Sequence, residues 1–240
     1  MKLKPITAWQ LAFACLLTSQ VATAQVDATV CGDLGTPRWD YRYATQAEHK
    51  EVEGAHFVPV VENLIRGNRG YLGGDLSYTL RASPNHHRAL VSVMKWSEKL
   101  KSSRLPDMLY PAECYFERGI RYKADDHVVK LLYAQFLVSN SRPADAVKQL
   151  DLVVKMAGDN GFTLYNVGLL YSDMKNFDQA LVYAHKAMAK GFVRPELRNR
   201  LEQAGRWLEP VKGSEPDATQ AAEELPATST DSAGEAEGSK

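Results

Sequence analysis

The sequence predicts an all-α protein in which short helical repeats stack into a solenoid. The first observation is a recurrence: Ala112, Ala146 and Ala180 occupy the same position in similar segments and lie 34 residues apart, twice over. The second is that two further columns keep this register, Phe116, Leu150, Ala184 and Gly119, Val153, Ala187. A period of 34 residues with small residues at fixed offsets is typical of a helix–turn–helix repeat.

The small residues have a packing role in this prediction. Two antiparallel helices of one repeat approach closely only where side chains are small, and Gly168, Ala180 and Ala187 permit that approach in the last repeat. Asp145 and Asp178 fall near the predicted starts of second helices, where a carboxylate meets free backbone N–H groups. Neither helix of a pair buries its apolar stripe alone, so neighbouring repeats must stack.

The pattern resembles the tetratricopeptide repeat (TPR) family over residues 126–192. The family consensus has a large residue, a Leu-Gly pair, an aromatic residue, then further Ala and aromatic positions and a proline. The best copy matches with Leu164, Val167-Gly168, Tyr171, Ala180, Tyr183 and Ala187, and it has Phe192 where proline is usual. The resemblance implies a TPR-like fold for this region.

The repeats extend towards both ends of the chain. Pro84 takes the consensus proline position, and the interval from Pro84 to Ala124 exceeds one period by six residues, which fit into the polar stretch 101–109. This predicts about three repeats, preceded by a second helix at 75–83 with a degenerate partner at 58–66. After Phe192, a capping helix is predicted from Pro195, with one apolar face and Trp207 as an anchor, the face being Leu197, Leu201, Ala204 and Leu208.

A wider resemblance covers most of residues 31–207. The runs GGDLSYTLRASPNHHRAL, VEGAHFVPVVENLI, AECYFERGI and YNVGLLYSDM, together with Cys31-Gly32, are similar to a family of small exported TPR proteins of Gram-negative bacteria. That resemblance implies export, a Cys31–Cys114 disulfide and the repeat fold, and it implies no activity. The residues alone favour the same pairing, because two cysteines in an exported domain most simply pair; two unrelated buried thiols are the alternative.

The two ends of the chain differ from its middle. Residues 1–24 have the charged start, apolar stretch and Ala22-Thr23-Ala24 ending of a signal peptide, which predicts a periplasmic protein; a lipoprotein cysteine at Cys15 is the less favoured alternative. Residues 25–74 are expected to be partly irregular and packed on the solenoid, and the TPR-like domain with its cap is expected over 75–208. Residues 209–240 contain eight acidic and two basic residues and predict a disordered acidic tail.

The remaining charge is close to balanced. With the two lysines of the signal set aside, residues 25–208 contain 25 basic and 21 acidic residues, a net charge of +4. We see no basic helix stripe and no later apolar stretch long enough for a bilayer, so neither nucleic-acid binding nor a transmembrane span is predicted after signal cleavage.

The adjacent histidines His86 and His87 raise the question of catalysis. The sequence has no GxSxG, HExxH or phosphate-binding glycine loop, and neighbouring residues on a helix point about 100° apart, which suits a shared metal poorly. We therefore interpret the pair as a helix start capped by Ser83 or Asn85, and we predict no catalysis, cofactor or metal. The alternative is a metal-dependent or cell-wall-acting enzyme that uses His56, His86 and His87.

A stacked array offers a concave groove lined by its first helices. The repeat register predicts that a peptide or protein segment binds there, at Leu131, Gln135, Tyr165, Asn166 and Leu169. Grooves that bind a C-terminal carboxylate have lysines and asparagines at these groove-facing positions. Only Asn166 matches here, so binding of a C-terminal carboxylate is not predicted. The expected role is an adaptor or scaffold with a protein partner in the cell envelope. Two alternatives stay open: the N-terminal segment covers part of the groove, or the chain is a structural part of an envelope assembly tethered by its tail.

Overall fold

The prediction of an all-α protein is confirmed over the residues that the structure describes. The structure is a computed structural model that describes residues 28–210, so the predicted signal peptide and all but the first two residues of the predicted tail lie outside them. Within this range all regular structure is helical, and no strand occurs. The helices are α1 Ala28–Cys31, α2 Gln46–His56, α3 Pro59–Glu62, α4 Leu72–Ala82, α5 His87–Leu100, α6 Ala112–Tyr122, α7 His127–Ser139, α8 Pro143–Ala157, α9 Gly161–Asp173, α10 Phe177–Ala189 and α11 Pro195–Gln203.

The 34-residue period reappears in the turns that join α7 to α8 and α9 to α10. Ser141 and Lys175, one period apart, both adopt left-handed backbone conformations, with φ of 58° and 63°. The residue after each donates its N–H to a carbonyl five residues earlier, Arg142 to Leu137 and Asn176 to Tyr171, at 2.9 Å in both cases. Equivalent positions in sequence therefore adopt equivalent turns.

The aligned small residues lie where helices meet. Ala112, Ala146 and Ala180 are fully buried, on α6, α8 and α10 respectively. A Cβ built on Gly168 would lie 3.4 Å from the carbonyl oxygen of Ala180 and 2.6 Å from a terminal methyl group of Leu197, so even an alanine there would require the Leu197 side chain to shift. The predicted close approach at Gly168 is confirmed.

Packing runs in series along the chain. Each helix from α4 to α11 contacts the next, with the densest contacts between α7 and α8 and between α9 and α10. A second set of contacts joins alternate helices, α5 with α7, α7 with α9, and α9 with α11. One continuous core of apolar side chains results, from Phe57 near the N-terminal end to Leu201 near the C-terminal end.

The start of the helical array differs from the prediction. The partner of α4 is α2 rather than 58–66, where α3 forms only a single turn. The capping box of Thr45 and Glu48 starts α2, a signal that sequence reasoning missed because the helix is mostly polar. Leu64 has φ of 59°, which ends regular helix soon after α3.

A disulfide holds the N-terminal segment to the array. Cys31 in α1 is bonded to Cys114 in α6, with Cα atoms 5.0 Å apart, so the predicted pairing is confirmed. Beside it, Nη1 of Arg118 donates to the carbonyl oxygens of Cys31 at 2.8 Å and Asp33 at 2.6 Å. These bonds keep residues 31–33 on the surface of α6.

The capping helix forms, but it is shorter than predicted. Leu197 and Leu201 are buried on α11, which packs against α9 and α10, whereas α11 ends before Ala204 and Leu208 is 67% exposed. Gly205, with φ of 66°, turns the chain away from the helix axis. Trp207 lies edge-on to His185, with ring centroids 5.3 Å apart, so it does pack on α10.

No helix among residues 28–210 has the length and apolarity needed to cross a bilayer.

Candidate functional site

The candidate site is a groove across α5, α7 and α9, the helices that contact one another in the second packing series. It holds a cavity of about 480 Å³. Glu62 and Asn63, at the end of α3, lie beside α5 at one end, and Arg200 of α11 lies beside α9 at the other. The cavity thus spans the width of the helical array.

Four of the five predicted groove residues lie together. Leu131 and Gln135 of α7 and Asn166 and Leu169 of α9 all line the cavity. Tyr165 does not line it: its side chain is 8% exposed and its hydroxyl accepts a hydrogen bond from the Leu197 N–H at 3.3 Å. Since neighbouring helical residues point about 100° apart, Tyr165 is directed between α9 and α11 while Asn166 faces the groove.

The floor of the groove is apolar. It is lined by Val91 of α5, by Val128, Leu131 and Leu132 of α7, and by Leu169 of α9, and Phe162 lies beside it with 59% of its surface exposed. Exposed aromatic side chains beside an apolar cavity are a common feature of ligand sites.

Two amide side chains offer hydrogen bonds above this floor. Nδ2 of Asn166 donates to the Phe162 carbonyl at 2.8 Å, which leaves Oδ1 as an acceptor. Gln135 is exposed, and its side chain makes no hydrogen bond with any residue of the described range. Such groups can pair with the backbone of an extended peptide.

Ion pairs occupy the two ends of the groove. Arg88 pairs with Glu62 and donates to Glu53 at 3.0 Å, and the hydrogen bond from Arg88 holds the pKa of Glu62 below its usual value. Arg200 pairs with Asp173 and Glu196, both at 2.6 Å. Lys95, between them, makes no ion pair with the described part of the chain. The groove therefore has ion pairs at its ends and, at its rim, the ammonium group of Lys95, which has no carboxylate partner among residues 28–210.

His86 is the N-cap of α5, so the prediction of Ser83 or Asn85 in that role is wrong. Nδ1 of His86 accepts from the Ala89 N–H at 3.2 Å. Asn85 is instead fully buried and linked elsewhere: Oδ1 accepts from the Tyr41 N–H, and Nδ2 donates to Asp40 and Asp126. These partners are 41 to 45 residues away in sequence, so local pattern could not identify them.

One group of side chains has donor atoms close enough for a metal. Ligand atoms of His49, Glu53 and His86 lie within 4.8 Å of one another. Because Nδ1 of His86 accepts from a backbone N–H, the proton of the neutral ring is on Nε2, which donates to Glu53 at 3.1 Å. Metal binding at Nε2 would move that proton to Nδ1 and break the cap. Arg88 already donates to the same carboxylate, so the donor set fits a hydrogen-bonded network better than a cation.

The three histidines of the enzyme hypothesis pair with three different carboxylates. His86 donates to Glu53, His87 donates through Nε2 to Asp126 at 2.9 Å, and His56 donates through Nδ1 to Asp75 at 2.7 Å. Burial lowers the pKa of His86, and the hydrogen bond to Glu53 opposes this only in part. The structure thus places His86 and His87 in the contacts that join the N-terminal segment to α5 and α7.

A comparison of the chain with protein-family models, curated proteins and solved structures found no significant match to any of them.

Proposed function

We propose that this chain is a TPR-like scaffold that binds a segment of a partner protein in its groove without catalysing a reaction. The observation that carries the proposal is the cavity of about 480 Å³ across α5, α7 and α9, with an apolar floor and the amide side chains of Gln135 and Asn166 above it. The 34-residue register of buried alanines and matched turns supports the TPR-like assignment.

An extended segment suits this groove better than a small molecule. The lining comes mainly from the alternate helices α5, α7 and α9, so a ligand must be long to contact all of it. Apolar side chains would occupy the floor between Leu131 and Leu169, while Gln135 and Asn166 would bond its backbone. An acidic side chain of the ligand would pair with Lys95.

The disulfide supports a location in the periplasm. Disulfides persist in oxidising compartments and are rare in the cytosol. The bond between Cys31 and Cys114 therefore agrees with the export that residues 1–24 predict.

Photo-crosslinking from within native cells tests the groove. A photoreactive amino acid at Gln135 is expected to trap a discrete partner, whereas one at Lys155, on the outer helix α8, is expected not to trap it. A Leu131→Ala, Leu169→Ala variant carrying the Gln135 probe should lose the product. The matched control is Leu152→Ala, Met156→Ala on α8, two partly exposed residues away from the cavity. The proposal would be contradicted if Gln135 and Lys155 gave equal amounts of crosslinked product, or if the product were still formed in the Leu131→Ala, Leu169→Ala variant.

A further inference from the structure

A second cavity, of about 320 Å³, lies between the end of α2, one face of α4 and the loop at 106–109. It shares no lining residue with the groove. The titratable side chains of its lining that matter for its chemistry are those of His56, Arg69, Asp75, Arg81 and Asp107, and the glycines Gly70 and Gly74 also border it.

His56 is held in one orientation with one nitrogen free. Its Nδ1–H donates to Asp75, and its ring stacks on Tyr78 with centroids 3.9 Å apart. Asp75 is 2% exposed and also accepts from the backbone N–H groups of Asn68 at 2.6 Å and Arg69 at 3.1 Å. Burial opposes the ionisation of Asp75, but these hydrogen bonds outweigh it and lower its pKa. Nε2 of His56 has no hydrogen-bond partner among residues 28–210, and the ring lines the cavity.

The glycines of this region fall into two kinds. A Cβ on Gly67 or Gly73 would meet backbone oxygen at 1.9 Å, so packing requires glycine at both. A Cβ on Gly70 or Gly74 would meet nothing within 4 Å, and neither residue has a positive φ. Gly74 lies inside α4, where glycine costs stability relative to alanine. Neither packing nor backbone conformation explains Gly70 and Gly74, and both border the cavity.

Two guanidinium groups face the same space. Arg69 and Arg81 are exposed, and neither makes an ion pair within the described part of the chain; Arg81 stacks on Tyr78 at 5.4 Å. Asp107 is the opposing charge at the rim, also without an ion pair in this range. Guanidinium groups are well suited to bind carboxylate and phosphate oxygens.

We propose that this cavity binds the oxyanion group of a small ligand, a phosphate or a carboxylate, between Arg69 and Arg81, with the backbone at Gly74 in contact with it and the doubly protonated ring of His56 donating to it from Nε2–H. The ion pair of His56 and Asp75 would by itself explain the buried carboxylate. It would not explain two glycines that leave open space beside unpaired arginines. The proposal is independent of the function assigned to the groove.

Titration of the full chain with inorganic phosphate and, separately, with acetate tests the site at constant ionic strength. The His56 ring and Gly70 and Gly74 amide signals in NMR spectra should shift and saturate with at least one of them, and the tighter of the two identifies the oxyanion. Arg81→Gln and Arg69→Gln should each weaken binding about 5-fold or more, since an exposed charge-assisted contact contributes about 1 kcal/mol. Arg206→Gln, an exposed arginine near the C-terminal end of the described chain, should leave binding unchanged. Asp107→Asn should strengthen it, because a repelling carboxylate is removed.

Gly74→Ala separates binding from folding. Without ligand, alanine should raise the melting temperature by about 1–4 °C, because it favours the helix and meets no neighbour. The same methyl group should weaken oxyanion binding, since it fills the proposed contact. Linear, unsaturable shifts with both anions would overturn the proposal. So would unchanged affinity in Arg81→Gln, or a Gly74→Ala protein that binds as tightly as wild type.

Discussion

The two halves of the described chain hold together by different means. From α7 to α10 the contacts are mainly apolar and repeat with the sequence period, as the buried positions Ala146, Leu150 and Ala180 illustrate. From residue 28 to α6, the chain shares the same apolar core, from Phe57 onwards, but it adds single specific bonds, such as the disulfide and the hydrogen bonds of Asn85. The second half has equivalent contacts in successive helix pairs, whereas the N-terminal half has bonds that occur once. Substitutions should therefore act differently in the two halves.

Loss of the disulfide should have the largest effect, and it should act on the N-terminal half. The bond links residues 83 apart in sequence, and the chain-entropy relation for that separation gives a contribution of roughly 4–5 kcal/mol. The double variant Cys31→Ala, Cys114→Ala should lower the free energy of unfolding accordingly, as measured by urea denaturation. Reductant should destabilise wild type and leave the variant unchanged. Hydrogen exchange that accelerated equally in α9 and α10 would argue against a division of the chain into two halves.

Removal of the Asp126 carboxylate should have the second-largest effect on the free energy of unfolding. Asp126 is fully buried, caps α7 through the N–H groups of Val128 and Val129, and accepts from Asn85 and His87 at 2.9 Å each. Asp126→Ala leaves these donors unpaired, so we expect a loss of about 3 kcal/mol in the free energy of unfolding.

The adjacent residue supplies the control for that measurement. The Asp125 side chain is 71% exposed and pairs with Arg42 at the surface. Asp125→Ala should change stability little, because exposed ion pairs are screened by solvent. Equal effects at Asp125 and Asp126 would contradict the assignment of Asp126 as the buried centre of the network.

The N-terminal half should also be the part that responds to mildly acidic pH. Burial lowers the pKa of His86 below 6.5, so the unfolded chain binds a proton there more readily than the folded chain. The contribution of His86 to the free energy of unfolding is then fully present above pH 6.5, and it decreases as pH falls from 6.5 towards the folded-state pKa. The physical reason is that protonation places a charge on a buried ring; protonated Nδ1 also cannot accept the hydrogen bond from the Ala89 N–H that caps α5.

His86→Asn isolates this contribution. Asparagine is a favourable N-cap and does not titrate. The free energy of unfolding of the variant should therefore decrease less between pH 7 and pH 5 than that of wild type. Thermal unfolding at several pH values measures it. His185→Asn, with a partly exposed histidine on α10, should keep the wild-type profile. A variant profile as steep as that of wild type would exclude His86 as the source.

The smallest effects test the equivalence of the repeats. Ser141 and Lys175 have left-handed backbones that favour glycine, so Ser141→Gly and Lys175→Gly should each stabilise the protein by about 0.5 kcal/mol. Asn140→Gly, at φ of −97°, should destabilise it instead. Chemical denaturation resolves these changes if several measurements are averaged. Opposite signs at Ser141 and Lys175 would show that the two turns are not equivalent.

Sequence reasoning identified most of the groove and missed how the N-terminal half is built. Leu131, Gln135, Asn166 and Leu169 follow from the repeat register, because helical periodicity decides which face a residue occupies. The register also placed Tyr165 on the groove face, but Tyr165 does not line the cavity. Its hydroxyl accepts a hydrogen bond from Leu197 of α11, a helix that lies outside the 34-residue recurrence. Apart from Gly70 and Gly74, nothing in the sequence indicated the second cavity, which is lined by His56, Arg69 and Arg81.

By itself, the sequence determined the helical class and the 34-residue recurrence, since periodicity is a property of the chain alone, and it favoured the pairing of Cys31 with Cys114 over two unrelated thiols. Only the tertiary structure decided that α2 is the partner of α4, that His86 caps α5 and that His56 and Asp75 form a pair. These features depend on contacts between residues distant in sequence or on side-chain direction. A polar side chain has several possible partners, and only the packed neighbours select among them.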